Sequence, residues 1–404
     1  MNAPAVAGVA ALTVVADGDV HIVGSPHSGE YLAVPELGAR IIGWLQDGES
    51  VQRCAARAEE LAGEPVDVAD FLATLTAHGL LAEPEAPADA PAGWRLLGRV
   101  LFHPVGWACH AALTAVAVVL LVVRPQLRPH YTDLAPTGSA LSSLLLGSLI
   151  TVLCILAHEA GHVAATARIG LRSSLSVSRR LWFVVFQADL TRLWSVPRRR
   201  RIGPLLAGMA LDAASVGVLL LAQELLADRL GPTAVGVLRL TVVVQISGIL
   251  IQSWVFARTD VYALFAAATG SRRLWVVKGA VLRRWLRRES TEDRDVLATV
   301  TRRELAWARL FVVLYVPGLL YAAGYLVYFG IPGLLRVLGM AVGAIRDSGL
   351  GSLAGWSGVA ALVFIFLPTA IALTGAARTG LGLLRQVARR RRPGGGVGAV
   401  APDL

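Results

Sequence analysis

Two histidines four residues apart, with a glutamate beside the first, stand in an otherwise apolar run: His158, Glu159 and His162 form the pattern HExxH. On a helix, residues four apart share a face, so both imidazoles can present a ring nitrogen to one Zn²⁺. Glu159 then lies beside the metal as general base for the water that attacks a substrate carbonyl. With eight histidines in 404 residues, chance supplies the pattern in on the order of one chain in a hundred. An unpaired ionisable group in a membrane helix is destabilising by roughly 3 kcal/mol, so such groups mark function. A proton relay or an interhelical hydrogen-bond cluster without metal is the alternative use of the same three residues.

A catalytic zinc site takes three protein ligands and keeps a fourth position open. Asp260, in FARTDVYALFAAATG, closes a long apolar segment at the membrane depth of His162 and is the leading third ligand. The same carboxylate could instead cap the helix that follows or pair with Arg258. Asp212, in AGMALDAAS, competes for the position, because an intramembrane carboxylate also needs a partner. Asp189 falls in a loop, His110 suits packing between helices, and His103 suits the membrane interface. Ligation requires deprotonated imidazoles, so metal affinity falls below about pH 6.5.

The elements that must hold these residues are membrane helices. Hydrophobic residues make up 55% of the chain and charged residues 16%. Mean hydropathy is positive, so the class is mostly α: a polytopic helical bundle in a lipid bilayer. Apolar runs of about 20 residues predict about six spans: 107–123, the run from 141 that carries HExxH, 202–227, 234–257, 306–329 and 355–374. Between the second and third, LWFVVFQADL is β-prone and the arginines at 198–201 read as a loop held at the headgroups. The net charge of +10 is almost wholly arginine in short loops, which points to anionic lipid and not to nucleic acid. The basic loops at 198–201 and 272–288 and the tail fall on the side of the N-terminus. That places the N-terminal domain and the tail in the cytoplasm, on a multi-pass protein of the cell membrane. Cys54, Cys109 and Cys154 lack CxxC spacing, which argues against disulfides and a cysteine metal site. No secretory signal pattern opens the chain, so its start reads as part of a cytoplasmic domain.

Three domains are expected: 1–90, 91–380 in the membrane, and a basic, Gly-rich tail at 381–404 that should be disordered. In the first, residues 20–23 and 31–34 read as strands around a Pro-His-Ser-Gly-Glu turn. Helical patterns follow at 36–46, at 50–61 with Ser50 as cap, and at 68–78, with Gly79 ending the last and a Pro/Ala-rich linker at 83–93. This arrangement, YLAVPELGARIIGWLQDGESV leading to DVADFLATLTAHGLL, resembles the winged-helix leader-peptide recognition element of bacterial peptide-modifying systems, the fold of the pyrroloquinoline-quinone precursor chaperone. The resemblance covers roughly 18–84. It implies that a precursor's leader adds as a strand along Tyr31 to Val34 or Val20 to Val23, and that modifying enzymes of the same pathway are partners. A winged helix can also bind DNA or regulate the membrane part. The many carboxylates here, among them Glu59, Glu60, Asp67 and Asp70, argue against DNA.

HEAGH in an early span, a β-prone loop, an Arg-rich re-entry into GPLLAGMALD and a later RTDVY resemble the site-2-protease group of intramembrane zinc metalloproteases, over roughly residues 100–270. The resemblance implies His158, His162 and Asp260 as zinc ligands and Glu159 as base. The chain departs from the group in lacking Asn-Pro and Asp-Gly around the later aspartate, and the leader-recognition-like module stands where a PDZ-type domain is usual. The two resemblances together lead to a zinc endopeptidase that cleaves the leader from a ribosomally made precursor peptide. Two other functions stay open: an intramembrane protease that releases a single-pass signalling protein, and a non-hydrolytic membrane factor for peptide export or self-protection.

Overall fold

The computed structural model describes the chain except residues 1–7, 19, 26–28, 82–89, 181–182, 253, 255–258, 272 and 391–404. The expected turn at 26–28, most of the linker, Arg258 and the Gly-rich end of the tail lie outside the described residues.

The N-terminal unit is a three-stranded antiparallel sheet, β1 (Thr13–Asp17), β2 (Val20–Gly24) and β3 (Tyr31–Val34), in that spatial order. Val14 stands opposite Val23, and Val23 opposite Leu32. Gly18, at φ +71°, begins the tight turn between β1 and β2, a conformation in which a Cβ is penalised. Three helices follow: α1 (Glu36–Gln46), α2 (Val51–Ala62) and α3 (Val68–Ala77). Ser50 caps α2 by accepting the Arg53 N–H, and Asp67 caps α3 from the Asp70 N–H. Val23, Val34, Ile42, Cys54, Leu72 and Leu75 fill one core between sheet and helices.

The sheet holds one more strand than residue pattern alone predicts. Because β1 exists, β2 is the central strand, with both hydrogen-bonding edges taken. A leader therefore cannot add along Val20 and Val23; the outer edges belong to β1 and to β3, which carries Tyr31 and Val34.

The rest of the chain is helical around one hairpin. A short helix, α4 (Ala92–Leu101), precedes α5 (Pro104–Val123) and α6 (Ala140–Arg168). The hairpin β4 (Leu175–Arg180) and β5 (Phe183–Ala188) leads to α7 (Arg198–Leu226), α8 (Pro232–Gln252) and α9 (Asp260–Thr269). Then come α10 (Leu274–Trp285), α11 (Thr291–Thr299), α12 (Arg302–Tyr325), α13 (Ile331–Ser348) and α14 (Leu353–Arg390). A π-turn at Leu326–Gly330 joins α12 to α13 in one continuous segment, Arg302–Ser348.

Five of these segments are long and apolar enough to cross a membrane: α5, α6, α7, α8 and Arg302–Ser348. This is a membrane protein, with five such helices among the described residues in place of about six. The expected span at 355–374 falls in α14, whose described apolar stretch, Leu353–Pro368, is shorter. The lipid-facing side of α6 is legible as an exposed stripe of Leu145, Leu149, Val152 and Leu153. Its opposite side meets α7 closely: a Cβ on Gly161 would stand 3.3 Å from the Ala207 carbonyl oxygen. Small residues at such a crossing let two membrane helices approach to backbone contact.

Candidate metal centre

On α6, His158 and His162 are both buried and face α7. Their ring centroids are 4.8 Å apart and their Nε2 atoms 3.1 Å apart. Each ring is fixed through its other nitrogen. His162 Nδ1 lies 2.7 Å from the Pro204 carbonyl oxygen, an atom that can only accept, so Nδ1 carries the proton and Nε2 keeps its lone pair. His158 Nδ1 lies 2.6 Å from Asp212 Oδ2, the kind of outer partner that orients an imidazole ligand.

Asp260 completes the group. Its Oδ2 is 2.7 Å from His158 Nε2 and 3.2 Å from His162 Nε2. The three candidate ligand atoms all lie within 4.8 Å of one another, and the group could hold a metal ion. Between the two aspartates left open by sequence, geometry divides the roles: Asp260 faces both Nε2 atoms, while Asp212 holds His158 from behind. Asp260 is also the first residue of α9, after Thr259 at the cap position. Gln252, the last residue of α8, braces this junction: its Oε1 accepts the Asp260 N–H at 3.1 Å, and its carbonyl accepts the Thr259 hydroxyl at 2.6 Å.

Gly208 on α7 keeps the space in front of the rings clear. A Cβ there would lie 2.6 Å from His162 Nε2 and 2.7 Å from His158 Nε2. Neither Gly208, nor the Pro204 carbonyl, nor Gln252 carries a sequence signal for a metal site; each acts through backbone position or as an amide in a helix end.

Glu159 stands apart from the group. Its Oε2 accepts the Ala188 N–H at 2.7 Å, at the end of β5, so the hairpin holds the carboxylate expected beside the metal. His110 Nε2 donates to the Leu101 carbonyl 3.1 Å away, and His103 accepts the Val105 N–H at the start of α5. Since a carbonyl only accepts, His110 is the donor in that pair. Asp189 accepts from Thr191 after the hairpin.

The N-terminal unit is tied to the same helix that backs the centre. Asp17, at the end of β1, is buried and pairs with Arg198 and with Arg201 Nη1, the latter at 3.2 Å. Two of the four arginines expected at the headgroups thus serve this contact, in the first turns of α7 before Pro204 and Asp212.

Comparison of the chain with protein-family models, with curated proteins and with solved structures gives no match.

Proposed function

We propose that the chain is a membrane-embedded zinc endopeptidase that releases the leader of a precursor peptide. The observation that carries this is the convergence of two imidazole Nε2 atoms and one carboxylate oxygen, all within 4.8 Å of one another, while each ring's Nδ1 has a second partner. With both imidazoles neutral and protonated at Nδ1, the lone pairs packed this closely in a buried site would repel one another unless a cation lay among them. The donor set of two nitrogens and one oxygen is that of catalytic zinc sites, and the outer partners Asp212 and Pro204 are of the kind that fix imidazole ligands.

His158, His162 and Asp260 would hold the ion. Zinc bound there supplies Lewis acidity to the scissile carbonyl and eases deprotonation of water. Asp212 and the Pro204 carbonyl keep both rings aimed as neutral imidazoles throughout the cycle. Glu159 leaves the Ala188 N–H, takes a proton from the attacking water as its oxygen bonds the carbonyl carbon, and passes that proton to the amine as the C–N bond breaks. The hairpin that holds Glu159 therefore has to yield it for turnover. The N-terminal unit, in the cytoplasm with the tail by the arginine distribution, holds the leader at an outer strand edge while the site cuts.

The test is cleavage of a precursor peptide by the full chain in liposomes. Glu159→Gln should retain zinc and lose cleavage by about 10²-fold or more, since the amide cannot take the proton. Cleavage at the wild-type rate by this variant would sink the assignment of the base.

A further inference from the structure

Two adjoining hollows lie on the other side of α7 from its contact with Asp17. The larger, about 760 Å³, is lined by four arginines: Arg99 of α4, Arg168 at the end of α6, and Arg199 and Arg200 at the start of α7. Among the described residues no carboxylate pairs with any of the four, whereas Arg198 and Arg201, on either side of the last two, both pair with Asp17. The smaller hollow, about 530 Å³, shares Arg99 and His103 with the first and continues along α5 between Val100, Val105, Cys109 and Leu113. Val100 and Val105, on its wall, are 63% and 66% exposed.

The ends of three candidate membrane helices meet here: the start of α5, the end of α6 and the start of α7. The arginines are therefore at the depth of lipid headgroups, and the apolar hollow runs from them along a membrane helix. Four guanidinium groups around one space, with no carboxylate partner among the described residues, repel one another and are stabilised by an anion; guanidinium matches phosphate oxygens in a bidentate fork. A cationic compartment continuous with an apolar one fits an amphiphile with an anionic head and an acyl chain.

We propose that this paired hollow is a binding site for an anionic phospholipid, its phosphate among Arg99, Arg168, Arg199 and Arg200 and one acyl chain along α5. Charge complementarity selects the class: a zwitterionic lipid brings its own cation among the arginines, and a soluble anion leaves the apolar compartment unused. Pro204 lines the larger hollow and also holds His162 through its carbonyl, so the lipid sits against the turn of α7 that backs the metal centre. The site is independent of what the centre cleaves.

The experiment is native mass spectrometry of the full chain titrated with phosphatidylglycerol, phosphatidylcholine or inorganic phosphate. Wild type should retain phosphatidylglycerol over phosphatidylcholine. Each arginine removed should weaken retention about fivefold, so Arg199→Gln with Arg200→Gln gives about 25-fold. Arg99→Gln with Arg168→Gln, in other helices, should do the same, whereas Arg336→Gln with Arg346→Gln on α13 should change nothing. Equal retention of the two lipids by wild type overturns the proposal, as does unchanged retention in both hollow-lining pairs. Displacement by millimolar inorganic phosphate with no lipid preference, or capture of an acidic peptide in place of lipid, overturns the lipid assignment.

Discussion

At the scale of single residues, the centre works by dividing the two nitrogens of each imidazole between different partners. Nδ1 faces outward, to Asp212 or to the Pro204 carbonyl, and Nε2 faces Asp260. The division needs room as well as partners, and Gly208 provides it. Replacing a helical glycine by alanine ordinarily stabilises a helix by about 1 kcal/mol. Here the added methyl would fall inside van der Waals distance of both rings. Gly208→Ala should therefore lower thermal stability, the overpacking outweighing the gain in helix propensity, and lower zinc affinity by at least tenfold. Calorimetry and metal titration on one preparation check this, and unchanged affinity would show that the rings do not need the space.

At the scale of elements, the legible features were those that short-range chemistry dictates. Strands 20–23 and 31–34 and the helices at 36–46, 50–61 and 68–78 follow from alternation, helical periodicity and the Ser50 cap, and the structure has them within a residue or so. β1 is five residues, TVVAD, and becomes a strand because β2 is there to pair with it, which no local pattern encodes. α4 is a helix beyond those expected from residue pattern; its ten residues fold against α6, where a Cβ on Gly98 would collide with the Ala164 carbonyl. The HExxH pair was legible because both histidines share one helix. Asp260 was a candidate by its type and depth, and only tertiary contact separates its role from that of Asp212. The hold of Ala188 on Glu159 joins a backbone N–H to a side chain 29 residues away and has no sequence signature.

One element contact carries a pH dependence. The Arg283 guanidinium, with the Ser290 N–H and hydroxyl at the capping box of α11, holds the Asp293 carboxyl well below the usual carboxylate range. A carboxylate whose folded-state pKa is depressed contributes stability that is complete above its unfolded pKa of about 3.9 and is lost as pH falls toward the folded value. The α10–α11 contact should accordingly be fully formed at neutral pH and loosen in acid below about pH 4. Hydrogen exchange of the amides in α11 reads this, and Asp293→Asn should remove the dependence. Protection that stays flat with pH in the native chain would contradict it.

For the whole molecule, the consequential feature is that the N-terminal unit meets α7 through a buried ion pair. Asp17 and Arg201 are each 2% exposed, and breaking a buried pair by removing one partner is strongly destabilising, by about 3–5 kcal/mol. The unit is thus held beside the helix that backs the metal centre. A docked leader would then raise the effective concentration of the scissile segment without altering the chemistry. A chain beginning near Pro91 should cleave more slowly at low precursor concentration and approach the full chain at high concentration. Because truncation also removes the partner of Arg198 and Arg201, Asp17→Asn in the full chain separates loss of docking from loss of leader capture. Superimposable rate curves for full and truncated chains would detach leader recognition from the proposed cleavage.

The most direct test of the metal centre is the metal content of the purified full chain and three variants. The arrangement of His158, His162 and Asp260 predicts about one zinc per chain in wild type, loss of zinc in His158→Ala and in Asp260→Ala, and retention with affinity lowered about 10–100-fold in Asp212→Asn, which orients a ligand without being one. Equal zinc in wild type and His158→Ala, or loss in Asp212→Asn with retention in Asp260→Ala, would contradict the assignment.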